Sequence, residues 1–159
     1  MQRDQILAMD PGRELNEFIA DKVMGWIAWE EKRGEYTYIV FQKPGEREPY
    51  KKTQRWEEVM HRYRRIGFDE INHQIHIVTG IKEWSTDISA AWEVVETLQV
   101  SHIYTDIRTC ADFYEVWITA PPFREEIQKT ETVASPKLPE AICKAALLAV
   151  LEEVPNDQT

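Results

Sequence analysis

The sequence predicts an α+β domain: a mostly antiparallel β-sheet with helices packed on it in a sandwich. Three observations lead there. Helical and strand patterns are mixed as helices and hairpins, without the strict strand–helix alternation of a doubly wound parallel sheet. The 159 residues are enough for one domain, and 43% apolar content with six Trp, six Tyr and five Phe can fill its core. Six glycines, never closer than Gly25 and Gly34, exclude a P-loop and a dinucleotide-binding fingerprint, both of which need closely spaced glycines.

Each element has its own signal. Asp10-Pro11 predicts a helix start, and Leu15, Phe18, Ile19 and Val23 form an amphipathic stripe that ends near Gly25. Trp26 and Ala28, then Tyr36, Tyr38, Val40 and Phe41, are two β-rich runs that read as a hairpin. Pro44-Gly45 and Pro49 mark a loop. A helix is expected over Arg55–Ile66, with Trp56, Val59, Met60, Tyr63 and Ile66 on one stripe, acids in its first turn and arginines in its last. Ile71, Ile75 and Ile77 alternate with polar residues as a half-buried strand, with His73 on the isoleucine face.

Ser85-Thr86-Asp87 is a cluster of N-cap residues opening a helix over Asp87–Gln99. Its stripe of Ile88, Ala91, Trp92, Val95 and Leu98 predicts a buried Trp92. Strands follow at Ser101–Ile107 and Phe113–Thr119, joined by a turn at Thr109–Asp112, and a charged edge strand at Glu126–Val133. The last helix, Pro139–Glu153, is the most apolar. No period of 20 to 50 residues repeats.

Charge narrows the function classes. The net charge is −9, but Gln42–Arg65 carries +4 and the remainder −13. An acidic body argues against general nucleic-acid binding, which neutralises many phosphates. The basic segment is either a solvated charged face or a site for one small anion or an acidic partner. The longest apolar run, Ala145–Leu151, has seven residues, where a membrane span needs roughly 20. The N-terminal stretch has no apolar run fit for a signal peptide, so an intracellular protein is expected. Cys110 and Cys143 read as reduced thiols packed as small hydrophobes. With no CxxC and no HExxH, neither a metal nor a cofactor is expected.

Three stretches carry a resemblance. They are Pro11-Gly12-Arg13-Glu14-Leu15 running on to Lys22-Val23-Met24-Gly25-Trp26, then Ser85 to Glu96, then Leu138 to Ala149. In this order they resemble the phage ABA-sandwich domain, a family of small proteins encoded by bacteriophages and prophages. The matched stretches are mainly helical. The resemblance implies one such domain over residues 1–159, a phage origin, the cytoplasm of a bacterial host and no catalytic residue. The stretch from about 43 to 83 departs from the pattern and reads as an inserted basic helix and strand.

No serine sits in a nucleophile elbow, neither cysteine has a recognisable histidine context, and the acids fall in pairs at element ends, so an enzyme is not expected. The reading favoured is a counter-defence binding protein that sequesters a small anionic, nucleotide-like signal. Its candidate ligand residues are Lys51, Lys52, Arg55, Trp56, Arg62 and Arg65, with Trp84, Ser85 and Thr86 as a stacking ring and a helix N-terminus. On a helix, Arg55, Arg62 and Arg65 share one face, with Glu58 in reach of Arg62. Two alternatives stay open. One is an acidic inhibitor that blocks a host protein, in the limit by imitating DNA; the other is a structural or accessory phage role. Surplus aromatic and apolar surface also predicts a homo-oligomer.

Overall fold

In the computed structural model, which describes residues 1–49, 54–120 and 129–151, the chain divides into two units: Met1–Val23 with Lys82–Thr159, and Met24–Ile81. The first unit opens with α1 (Arg3–Ala8) and α2 (Arg13–Phe18), which runs on as a π-helical turn over Ile19–Val23. The second holds β1 (Ile27–Arg33), β2 (Tyr36–Gln42), α3 (Trp56–Val59), β3 (Tyr63–Ile66) and β4 (His76–Val78). The first unit resumes with α4 (Ile88–Val100), β5 (Tyr104–Thr109), β6 (Tyr114–Ala120), β7 (Lys129–Ser135) and α5 (Leu138–Leu151).

The first unit is built round α5. Ala141 to Ala149 are all buried, as a helix apolar on every side must be. It packs on β6 and β7 on one side and on α1, the π-helical turn and α4 elsewhere. The sheet is antiparallel in the order β5-β6-β7, with the buried side chains of Val116, Ile118 and Val133 alternating with exposed ones. Two polar knots interrupt this core. Lys144, buried in mid-helix, donates to Glu140 at 2.6 Å and to the Leu7 carbonyl at 2.8 Å. Asn16 accepts from the Ser85 backbone N–H at 2.9 Å, and the Ser85 hydroxyl accepts from Gly12 N–H at 2.8 Å.

Two expectations for this unit are corrected. The first amphipathic helix starts at Arg13 with Gly12 as its N-cap, φ +146°, so the Asp10-Pro11 cap does not form. The helix α1 before it carried no clear stripe; Ile6 alone is buried there. Trp92 is 49% exposed: α4 turns Ala91, Val94 and Leu98 inward and leaves Ile88 and Trp92 outside. Small residues let a helix approach α5 closely, and that contact outweighs the larger side chains. The charged edge strand expected over Glu126–Val133 is present as β7 at the sheet's edge and runs on to Ser135, with residues 126–128 outside the described ones.

The second unit is a four-stranded sheet in the order β3-β1-β2-β4. β1 and β2 are the expected hairpin, turning at Gly34, whose φ of +60° suits a residue without a side chain. One face carries the core: Ala28, Ile39 and Ile66, with Phe41, Phe68, Ile71 and Val78 against them. Two elements differ from expectation. The Arg55–Ile66 helix is only one turn, α3, followed by a 3₁₀ turn at Met60–Arg62; Tyr63–Ile66 is a strand paired antiparallel with β1. The isoleucine strand shrinks to β4, paired parallel with β2, and its inward residues are His76 and Val78. Ile75 and Ile77 are 67% and 39% exposed. Residues 43–81 of the stretch read as an insertion lie in this unit, which begins earlier, at Met24.

Candidate functional site

The expected site residues fall into two groups. Arg55, Trp56, Arg62 and Arg65 belong to the second unit, and Trp84, Ser85 and Thr86 to the first. Lys51 and Lys52 lie outside the described residues.

In the second unit, strand alternation puts Trp29 and Arg65 on the sheet face opposite Ala28 and Ile66. The two are direct cross-strand partners, and Glu31 and Tyr63 are the next pair along. Trp56, at the start of α3, lies edge-to-face with Trp29, ring centroids 5.9 Å apart at 83°, and 5.0 Å from Tyr63. The Trp29 indole N–H donates to Gln42 at 2.9 Å, and Gln42 donates to the Glu46 carbonyl at 2.7 Å. Arg33 stands 4.5 Å over the Tyr38 ring and pairs with the buried Glu31 at 2.7 Å. Burying Glu31 is tolerable because its charge is matched.

The arginines divide sharply. In the second unit Arg33 and Arg64 are each matched to a carboxylate, whereas Arg47, Arg55, Arg62 and Arg65 are exposed and have no ion pair among the described residues. For the last three the reason is the fold of 55–66. As a helix this segment would have put these three on one face with Glu58 beside Arg62. With the chain turning into β3, Arg55 caps α3, Arg62 ends the 3₁₀ turn and Arg65 stands on the sheet. Arg65 and Trp56 thus come together through Trp29, a residue the sequence reading had not singled out. Its signal was present: in a strand, Trp29 must face away from the small core residue Ala28.

On the core face of the same sheet, Glu30 accepts from Arg64 at 3.2 Å and faces His76 Nε2 at 3.2 Å. The Asn72 backbone N–H donates to His76 Nδ1 at 2.9 Å, so the proton of the neutral ring sits on Nε2, toward Glu30. Burial pushes the Glu30 carboxyl up, but the hydrogen bonds from Arg64 and His76 and the charge of Arg64 outweigh it and hold the group below the ordinary glutamate range. This network is closed on itself and holds together β1, β3 and β4.

In the first unit, Trp84 is fully buried, so no ligand can stack on it and the expected stacking role is corrected. Ser85 is committed to Asn16 and Gly12, and Thr86 bonds to Glu83. Asp87 takes the N–H groups of Ser89 and Ala90 at 2.7 and 3.1 Å, which fills the helix terminus expected to hold an anion. Ser85 and Thr86 do line a cleft of 510 Å³ with Ile88, Tyr114, Lys137 and Leu138. Cys143 is buried among the apolar residues of α5, which pushes its thiol well above the ordinary range and leaves it inert; Cys110 is half-buried in the β5–β6 turn.

The family model described as the phage ABA sandwich domain matches residues 17–147. The chain belongs to that family. The match runs from α2 to the middle of α5 and takes in both groups of candidate residues and the whole of Met24–Ile81. One solved structure, a 2.0 Å crystal structure of a phage protein from Bacillus cereus ATCC 14579, is 24% identical to this ABA sandwich protein. It covers 90% of this chain and 94% of its own, with a TM-score of 0.49. No curated protein matches. Among the described residues, no helix of the ABA sandwich protein is long and apolar enough to cross a membrane.

Proposed function

We propose that this phage ABA sandwich protein is a non-catalytic binding protein. It sequesters a small anionic, nucleotide-like signalling molecule in the cytoplasm of the infected bacterium and so counters host defence. The observation that carries this reading is the contrast among arginines: Arg33 and Arg64 have carboxylate partners, and Arg55, Arg62 and Arg65 have none among the described residues. A guanidinium without a partner keeps its planar fork for a phosphate, which it can grip through two hydrogen bonds at once. Holding without turnover fits the surroundings of Arg65. Its neighbours on the sheet are the rings of Trp29 and Tyr63, and the nearby carboxylate Glu31 is tied to Arg33. General acid–base catalysis needs a free acid or base in reach of the ligand.

Calorimetry against ribonucleotides and cyclic dinucleotides tests the binding, and mass spectrometry of the ligand released on denaturation tests the fate. An intact ligand supports sequestration, and a chemically altered one makes the protein an enzyme. A second reading rests on the charge split, in which the first unit carries nine basic and nineteen acidic residues and exposes Trp92 and Trp117. That surface suits a basic host protein, and its capture from extract, with no nucleotide bound, favours this alternative.

A further inference from the structure

We infer that the anion held by these arginines carries a flat aromatic base, which stacks on Trp29 and Trp56 while Arg65 takes the phosphate. This deepens the sequestration reading and rests on it. Trp29 and Arg65 leave adjacent strands at the same register on the same face. Direct cross-strand partners have side chains starting about 5 Å apart, so one ligand can touch both. The core of this unit lies on the other face, round Ala28, Ile39 and Ile66, and that core does not explain an aromatic cluster here.

At 83°, the edge-to-face pair leaves at least one face of Trp29 uncovered by Trp56, which itself also packs 5.0 Å from Tyr63, and both tryptophans are only partly buried. Gln42 fixes the Trp29 ring by taking its N–H, so the polar edge is already satisfied and the π-face is what remains to offer. A sugar phosphate or a bare polyphosphate would use the arginines and leave that face empty. A nucleotide uses both.

The test sets adenosine and guanosine triphosphates and a cyclic dinucleotide against inorganic tripolyphosphate, which has the charge without the base. Calorimetry and tryptophan fluorescence are read on the full chain. The inference expects at least one nucleotide to bind about tenfold or more tighter than tripolyphosphate, the advantage a stacked base confers. It also expects that nucleotide to quench fluorescence while tripolyphosphate does not. Trp29→Leu should abolish the tenfold advantage and leave tripolyphosphate binding unchanged, whereas Arg65→Ala weakens both. If Trp29→Leu fails to fold, the shift of the Trp29 indole N–H resonance in the native protein serves instead. Tripolyphosphate binding as tightly as every nucleotide, or a Trp29 signal indifferent to them, overturns the stacking and leaves anion binding standing. No binding by either class overturns the sequestration reading and this inference with it.

Discussion

Replacing Lys144 by methionine should loosen the first unit at its centre. The ammonium sits among nine consecutive buried residues of α5, 7% exposed, against a Glu140 carboxylate 15% exposed. Its stem is apolar and close to methionine in volume, so the substitution removes little hydrophobic contact. What it removes is a 2.6 Å ion pair and a 2.8 Å bond to the Leu7 carbonyl. Losing one partner of a buried pair costs about 3–5 kcal/mol, because the other charge stays behind without compensation. Glu140 keeps a 3.1 Å bond from the Ser135 hydroxyl, which places this loss at the lower end, about 3 kcal/mol. For a chain of this size that is a fall of about 6–12 °C in Tm. Urea denaturation of Lys144→Met, Glu140→Gln and the double variant closes a double-mutant cycle. The double variant should recover at least about 1 kcal/mol relative to additivity. Hydrogen exchange should show α1 opening first, since Lys144 and the Arg3–Glu131 pair tie it down. A loss below about 1 kcal/mol, or strict additivity, would refute this account of α5.

Other outcomes follow from the same coordinates. Trp92→Ala should cost less than about 1 kcal/mol, since the ring is half outside, whereas Leu147→Ala at a fully buried site should cost about 2–5 kcal/mol in the same urea melts. Because Glu30 is held below the ordinary glutamate range in the folded chain, its contribution to stability is present above that range and is lost as pH falls through the lower folded value. Glu30→Gln should therefore flatten the acid limb of a stability-against-pH curve; an unchanged limb would count against the Arg64–Glu30–His76 network. Gly34→Ala should cost about 1 kcal/mol, because alanine resists the left-handed turn. Exposed Ile88, Trp92, Val100 and Trp117 lead us to expect at least two copies in solution; light scattering at 18.7 kDa across micromolar concentrations would remove that expectation.

The elements legible in the sequence are those whose local pattern agrees with their tertiary surroundings. The Trp26–Phe41 hairpin, α4, the β5–β6 pair and the apolar α5 all stand within a few residues of expectation. The segment 55–66 was misleading because Trp56, Val59, Met60, Tyr63 and Ile66 satisfy a helical period, while Tyr63 and Ile66 are also good strand formers. Pairing with β1 gives Tyr63–Ile66 a ladder and buries Ile66, and that decided it. The isoleucines at 75 and 77 alternate as a strand should, yet β4 turns its other face inward because His76 finds Glu30 and Asn72 there. A period of two cannot say which face is buried when both carry groups able to be satisfied. For the candidate site, the arginines and Trp56 were legible from charge and composition, but Trp29 needed the strand register, and Trp84 needed its burial.

The most direct test is calorimetry of the native chain and of an Arg55→Ala, Arg62→Ala, Arg65→Ala triple variant against the nucleotide panel. The account predicts that the native protein binds at least one nucleotide, more weakly as salt rises, and that the triple variant loses about 100-fold in affinity at an unchanged melting temperature. A native protein that binds no nucleotide, or a folded triple variant that binds as well as the native chain, would contradict it.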